Sequence, residues 1–352
     1  MTKRAIGRTF LVLLLAGFLF MSFSGQAAAK DFYEGKTIRI LVCCSPGGFY
    51  DRWARLFARH MGQYIPGKPD IIVQNMPGAG SLIAANYVYN IAKQDGTALV
   101  MPLAGLYLDQ VVGRKEVRFD IAKFQWIGTQ EVSHSVLFCR SDSKYKSIDD
   151  LIANKKDPAR LGNSGTAGNS YLMGKILEKG VGANFNFVMG YPGGSEIDLA
   201  VERGEVLCRG MTIPPHFGRE PYLTWHKNKF VRQLAQSGDE PDPRLKDVPT
   251  LSQLFDKYNA PKLVRSMAKV IFASGDFGRP FAVAPGVPAD RVKMLRDAYA
   301  KTLADPELAA EAKKGRMVPY KLLRGEDLQK VAQSVVSQPK EVVDGVRGLL
   351  GR

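Results

Sequence analysis

Lys36-Thr37-Ile38-Arg39-Ile40-Leu41-Val42-Cys43-Cys44-Ser45-Pro46-Gly47-Gly48-Phe49-Tyr50-Asp51-Arg52-Trp53-Ala54-Arg55 holds the pattern from which the fold is read. Thr37 to Cys43 is a short, nearly continuous apolar run, as in a strand covered on both faces. Ser45-Pro46-Gly47-Gly48 is a turn. Beyond it Trp53, Leu56, Phe57, Met61 and Tyr64 recur at helical spacing, and Asp51 complements the positive end of the helix dipole. The order is strand, glycine loop, helix. The unit recurs at Asp70 to Gln74, followed by Pro77-Gly78-Ala79-Gly80-Ser81 and a helix through Tyr89. It appears again where Arg160 to Gly162 leads into Asn163-Ser164-Gly165-Thr166-Ala167-Gly168-Asn169 and a helix through Leu177. A fourth copy runs from Phe185 to Met189 into Tyr191-Pro192-Gly193-Gly194-Ser195, with Ser195 as the helix cap and Gly204 in its C-terminal turn.

Thr97 to Met101, Val206 to Arg209 and Phe281 to Ala284 read as further strands. Trp126 to Thr129 and Ser135 to Cys139 are strands with no long helix between them, which marks a crossing into a second lobe; Val231 to Ala235 crosses back. Later helices open at Pro288-Ala289-Asp290 and at Asp305-Pro306, where Asp caps and Pro occupies the first helical position. Strands alternating with helices predict an α/β fold, with mainly parallel sheets and flanking helices. Residues 30–132 and 236–352 are expected to form one discontinuous lobe and 133–235 the other.

Composition agrees with a globular chain: 352 residues, 45% hydrophobic and 24% charged. The apolar run Phe10 to Phe23, preceded by Lys3, Arg4 and Arg8 and followed by Ala27-Ala28-Ala29, reads as a secretory signal over residues 1–29. At about 14 residues it is short of the roughly 20 needed to span a bilayer. Removing 29 of the 352 residues leaves 323, and the formal charge falls from +15 to +12 because the segment holds three basic and no acidic residues. The basic residues are scattered, so the surface does not read as a nucleic-acid footprint. Lys144 to Lys156 is interrupted by Asp142, Asp149 and Asp150 and reads as a solvated face. Cys43, Cys44, Cys139 and Cys208 lack metal spacing, and export permits a disulfide without requiring one. Cys43 and Cys44, adjacent on a strand, are expected to point to opposite faces as buried thiols.

The chemistry lies in the glycine loops. Gly47/Gly48, Gly78/Gly80, Gly165/Gly168 and Gly193/Gly194 stand where a loop meets a helix, and there glycine lets a ligand approach unpaired N–H groups at the positive end of the dipole. Each loop alone is ordinary turn chemistry; their repetition in both lobes favours an anion clamped between them. Asn163 to Asn169, rich in Asn, Ser and Thr, is the leading candidate. Nucleotide motifs fail on spacing: five residues lie between Gly168 and Gly174 where a P-loop has four, Lys175 is followed by Ile176, and Gly162, Gly165 and Gly168 do not fit the dinucleotide pattern. The segment 162–166 lacks a nucleophile elbow's second glycine. His60, His134, His216 and His226 form no metal pair; His60 reads as a packing or surface residue, and His216 follows a strand end from which a cleft is within reach, although a place away from the cleft is the favoured reading.

These segments resemble a known family. The signal segment, the strand from Lys36 and the loop from Ser45 to Arg55 are similar to the opening of the solute receptors of tripartite tricarboxylate transporters, the Bug-type periplasmic binding proteins. In the family's order follow Asn75-Met76-Pro77-Gly78-Ala79-Gly80, Asp95-Gly96-Thr97, the loop 163–168, Tyr191-Pro192-Gly193-Gly194, Leu245-Lys246-Asp247-Val248-Pro249-Thr250 and Ala282-Val283-Ala284-Pro285-Gly286-Val287-Pro288. The resemblance implies a two-lobed periplasmic binding fold of type II, a Venus flytrap. It further implies a receptor without catalytic residues, metal or cofactor that closes on a small organic carboxylate. The receptor would be a monomer that delivers its acid to one large and one small permease subunit. Mapped by motif, the ligand meets Gly47, Gly48, Phe49, Tyr50 and Asp51 in the first lobe. In the second it meets Asn163, Ser164, Gly165, Thr166, Ala167, Gly168 and Asn169, with Gly193, Gly194 and Thr212 beside them.

This chain departs from the family at Phe49 and Tyr50, where small residues are usual, and at Leu103 to Asp109, where Tyr107 falls within a segment that typically carries His and Asn. Thr212 stands near a usual acidic position, and Tyr258 to Arg279 is longer than usual. Larger apolar walls at Phe49, Tyr50 and Tyr107 point to an aromatic or longer-chain acid; the alternative reading is that these rings only pack under the loops. A secreted enzyme on the same fold and the receptor of an ATP-driven importer are the competing readings.

Overall fold

The computed structural model describes residues 31–44, 46–166, 168–191, 194–317 and 322–351; the expected signal segment 1–29, Ala167 and Gly193 lie outside the described residues. Among the described residues eleven strands form two sheets. The first contains β1 (Thr37–Val42), β2 (Asp70–Asn75), β3 (Ala98–Met101), β4 (Gln125–Thr129), β10 (Pro280–Val283) and β11 (Leu323–Arg324) in the order β11-β4-β10-β3-β1-β2. The second contains β5 (Ser135–Arg140), β6 (Ala159–Gly162), β7 (Phe185–Val188), β8 (Cys208–Thr212) and β9 (Val231–Gln236) in the order β7-β6-β8-β5-β9.

Both sheets are mixed. β1 pairs in parallel with β2 and β3, as strand-loop-helix units require, but β10 enters antiparallel between β3 and β4. In the second sheet β6 is parallel to β7 and β8, whereas β5 runs antiparallel to β8 and β9. Strands joined by a crossover helix run parallel. Those that enter from the other sheet, or return to it, are free to reverse. The predicted parallel character therefore holds within the repeated units and is lost at the strands near the crossings.

Local sequence explains the elements around the first loop. The helix Phe49–His60 buries Trp53, Ala54, Leu56 and Phe57 on one face, carries Asp51 in its first turn and ends in Arg59 and His60, so both charge signs suit the dipole. Phe57 stacks on Tyr299 with centroids 4.7 Å apart and abuts Phe281 from β10. Farther on, Thr250 and Gln253 form a reciprocal capping box at the start of Leu251–Lys257. Asp305 caps Pro306–Lys314 as expected, accepting from Glu307 N at 2.8 Å.

The second-lobe helix Asn169–Val181 packs against the helices Leu251–Lys257 and Lys262–Phe272. A Cβ on Gly180 would sit 2.6 Å from the Phe255 ring and 3.4 Å from Val264, so glycine sets the closeness of that contact. Cys139 and Cys208, directly opposite on β5 and β8, form a disulfide. β1, by contrast, ends at Val42, so the alternation expected to separate Cys43 from Cys44 does not reach them: their sulfurs lie 2.9 Å apart.

Candidate functional site

The first-lobe loop is held by a buried carboxylate. Asp51, 2% exposed, accepts Gly47 N at 2.8 Å and Arg55 Nε at 2.9 Å on one oxygen, and Asn75 Nδ2 at 2.9 Å on the other. Burial works to raise its pKa, but the bonds from Arg55, Gly47 and Asn75 win and hold it below the usual carboxylate value. Asp51 therefore shapes the loop. Its carboxylate is turned onto Gly47, Arg55 and Asn75. Gly47 has φ +81°, a conformation in which glycine is at ease, and Gly48 precedes the helix.

Phe49 and Tyr50 are half-buried beneath a guanidinium. The Arg279 carbon lies 4.4 Å from the Phe49 ring centroid and 5.3 Å from that of Tyr50. Tyr50 Oη donates to Gly278 O and accepts from Ala104 N, each at 3.1 Å. Arg279 also pairs with Glu131 at 2.6 Å, and both are buried beside the crossing that follows β4. Burial pushes the Glu131 carboxyl up although Arg279 opposes it.

Tyr107 is not brought to this wall. It is 1% exposed, stacks on Phe277 at 5.4 Å, donates its hydroxyl to Val270 O (2.6 Å) and Ile271 O (3.0 Å), and accepts from Ser274 N at 2.9 Å. The ring fastens the long segment after Tyr258 to the first lobe. Its sequence context, an apolar helix turn at Leu106–Val111, is equally that of a core residue.

Five of the expected second-lobe residues, Ser164, Gly168, Asn169, Gly194 and Thr212, come together. A cavity of about 330 Å³ is lined by Ser164 in the glycine loop, by Gly168, Asn169 and Ser170 at the start of Asn169–Val181 and by Gly194 at the start of Gly194–Glu202. Thr212, the last residue of β8, also lines it. That second helix begins at Gly194, one residue before the expected Ser195 cap. Asn163 lies beneath the loop rather than in the cavity: it is fully buried and donates Nδ2 to Leu161 O. Gly165 has open space around its Cβ position, and Thr166 Oγ1 donates to Leu350 O at 3.1 Å. None of Gly47 to Asp51 lines this cavity.

Two cationic residues were not anticipated. Arg209 on β8, 6% exposed, pairs with buried Asp198 and donates Nη1 to Gly194 O (2.8 Å) and Tyr222 Oη (2.7 Å). Tyr222 in turn donates to Asp198 at 2.6 Å. Arg219, about half-exposed, stands 3.5 Å from the same carboxylate. Both arginines line the cavity and Asp198 is their shared counter-ion, so one positive charge is left over to complement an anion. The available signal was Arg209 itself, a charge within the apolar strand pattern Val206 to Met211, where burial demands a partner.

A larger cavity of about 520 Å³ lies elsewhere, near His134 and Asp276 between the helices Leu251–Lys257, Lys262–Phe272 and Gly325–Val336, and contains no predicted site residue. His216 does not reach the cleft: it is fully buried and stacked 4.9 Å from Phe138. Among the described residues, His60, Asp305 and Glu307 bring ligand-type atoms within 4.8 Å of one another. Asp305 is already engaged as a helix cap and His60 Nδ1 faces it at 3.2 Å, so the group serves helix packing.

With this geometry the chain compares as follows. A UPF0065 protein of Bordetella pertussis is 28% identical over 193 residues, covering 54% of this chain and 58% of that protein, so the match spans little more than half the relative's length. Protein BugT of the same organism is 27% identical over 248 residues, covering 67% of this chain and 72% of BugT. A crystal structure of a TctC solute binding protein from Polaromonas superposes with TM-score 0.69 at 20% identity, covering 91% of this chain and 99% of that one. The periplasmic binding protein BugD superposes with TM-score 0.59 at 19% identity, covering 90% and 98%. At those identities the structures show a shared fold, that of the two-lobed periplasmic binding proteins. The family model "Tripartite tricarboxylate transporter family receptor" matches residues 54–347, from the first helix of the first lobe into the last helix of the chain, and this protein belongs to that family.

Proposed function

We propose that this protein is an exported, periplasmic receptor that captures a small organic carboxylate between two lobes, near 30–132 with 236–352 and near 133–235. It hands the acid to a tripartite permease of one large and one small subunit. One observation carries the reading: two helix starts and a surplus guanidinium charge converge on one second-lobe cavity of a size suited to a small ligand. Lobe closure would add the Gly47–Gly48 backbone and Phe49 from the first lobe. Ile197, Met211 and Pro215 stand within a mainly polar lining, and together with Phe49 they would offer an aromatic or longer-chain body an apolar surface to rest on. The solved neighbours include one described with bound malate and one with adipate, which supports the carboxylate class.

Calorimetry of the full mature chain against adipate, benzoate and succinate tests this reading. Saturable 1:1 heats with adipate or benzoate exceeding succinate are expected; absence of heat with all three, or chemical change of the acid on incubation, overturns it. An ATP-driven partner is separated by gene neighbourhood, where an ATPase subunit in place of the large and small membrane proteins would reassign the permease.

A further inference from the structure

Cys43 and Cys44 stand immediately before the first-lobe loop, and nothing in the carboxylate reading uses them. Their sulfurs are 2.9 Å apart, closer than unbonded sulfurs normally rest, with Cys44 partly exposed and Cys43 buried. The same chain already holds a disulfide at Cys139–Cys208, so its thiols meet oxidising conditions. We propose that Cys43 and Cys44 are a redox modification site: thiol–disulfide exchange with a disulfide-bearing oxidant closes them to a vicinal disulfide that resets the carboxylate-binding loop.

The chemistry balances in two steps. The Cys44 thiolate attacks one sulfur of the oxidant, forming a mixed disulfide and expelling one thiolate. The Cys43 thiol then loses its proton to solvent and attacks the Cys44 sulfur, expelling the second thiolate. The protein loses two hydrogens and the oxidant leaves as two thiols. The roles follow from placement. Cys44 is the reachable sulfur, and its pKa is lowered by the hydrogen bond from Cys43 and by Arg279, whereas that bond and burial push Cys43 up.

Closure would be felt at the loop through a continuous set of bonds. Asn75 Nδ2 donates to Cys44 O at 2.8 Å and to Asp51 Oδ1 at 2.9 Å, and Asp51 accepts Gly47 N at 2.8 Å. Adjacent α-carbons are about 3.8 Å apart, short of the roughly 4.4–6.8 Å that disulfides usually span, so ring closure must turn the peptide that carries the Cys44 carbonyl. That carbonyl is the one Asn75 holds. A bond closed against such geometry is also readily reduced, as a switch requires. Cys139–Cys208, with both residues fully buried, is out of a mild reductant's reach.

The test does not depend on any ligand, so its failure and failure of the carboxylate reading are separate events. Tryptic cleavage after Arg39 and Arg52 isolates both cysteines in one peptide, 40–52. Full mature protein, reduced with a low concentration of dithiothreitol and then treated with dipyridyl disulfide, is expected to yield that peptide lighter by two hydrogens and closed to iodoacetamide. Hydrogen exchange at the Gly47 amide is expected to rise about fivefold, the loss of one hydrogen bond. Cys43→Ser should instead trap a stable mixed disulfide on Cys44. Two alkylated cysteines after oxidation, or a stable mixed disulfide in the wild type, overturns the site. A closed ring with unchanged exchange at Gly47 overturns its coupling to the loop.

Discussion

Gly165 and Ser164 show how single residues can be tested without unfolding the lobe. Gly165 has no positive φ and nothing within 4 Å of its Cβ position, so Gly165→Val is expected to leave the melting temperature unchanged while abolishing calorimetric binding of the best of the three test acids. Ser164→Ala, which removes one exposed hydroxyl at the cavity rim, should weaken the same binding about fivefold. Equal affinity in both variants would move the site away from the second-lobe loop. Truncating Arg209 is less informative, because it leaves buried Asp198 with only Tyr222 and the more distant Arg219 and costs stability on its own. His216 provides a pH test. Burial, then His226, Arg209 and Arg244, hold its imidazole down to about 3 from 6.5. The unfolded chain takes up the proton below about 6.5 whereas the native state waits until about 3, so stability is full above that window and falls as pH drops through it. From this residue urea unfolding should lose about 2 kcal/mol between pH 7 and pH 5. In His216→Phe, which keeps the ring against Phe138, that part of the loss should vanish; an unchanged acid slope would refute the assignment.

At the scale of elements, the contact between Leu106–Val111 and Lys262–Phe272 is where the structure departs furthest from expectation. Tyr107 joins them through two carbonyls at the end of the long helix and one amide just beyond it. Tyr107→Phe keeps the stack on Phe277 but leaves those groups without their partner. A stability loss of about 1–3 kcal/mol with unchanged affinity for adipate or benzoate is expected by chemical denaturation and calorimetry. A selective loss of aromatic ligand with unaltered stability would restore Tyr107 to the binding wall. Cys139–Cys208 acts at the same scale: it ties the antiparallel pair β5–β8, the strand entering the second sheet and the strand that carries Arg209.

At the scale of the whole molecule, the two sheets are joined by more than the crossings after β4 and β9. Gly180 meets Phe255 and Val264, and Thr166 reaches Leu350, so the helix Asn169–Val181 rests on elements from the C-terminal part of the chain. Gly180→Val would place a branched side chain where a single Cβ already falls 2.6 Å from the Phe255 ring. Small-angle scattering should show a larger radius of gyration for this variant than for the wild type, and a smaller response to saturating adipate or benzoate. Identical curves for both proteins with and without ligand would mean that this contact does not govern the lobe arrangement.

What the sequence determined by itself is local. Apolar runs ending in glycine loops, followed by helical periodicity, specify the units β1 to Phe49–His60 and β6 to Asn169–Val181, because pattern, turn chemistry and capping all act within a few residues. The cavity-lining positions were legible for the same reason, with Gly168 and Asn169 at one helix start, Gly194 at another and Ser164 in the glycine loop before the first. Only the tertiary structure decided which charges share a site. Arg209, Asp198 and Arg219 lie apart in the chain and meet because β8 passes beside the start of Gly194–Glu202. It likewise decided that Tyr107 and His216 face inward, since periodicity marks an aromatic or half-polar ring as able to be buried without saying which surface covers it. Cys43 and Cys44 met for the converse reason: the strand stops at Val42, and a strand's end depends on which neighbours remain to pair with it.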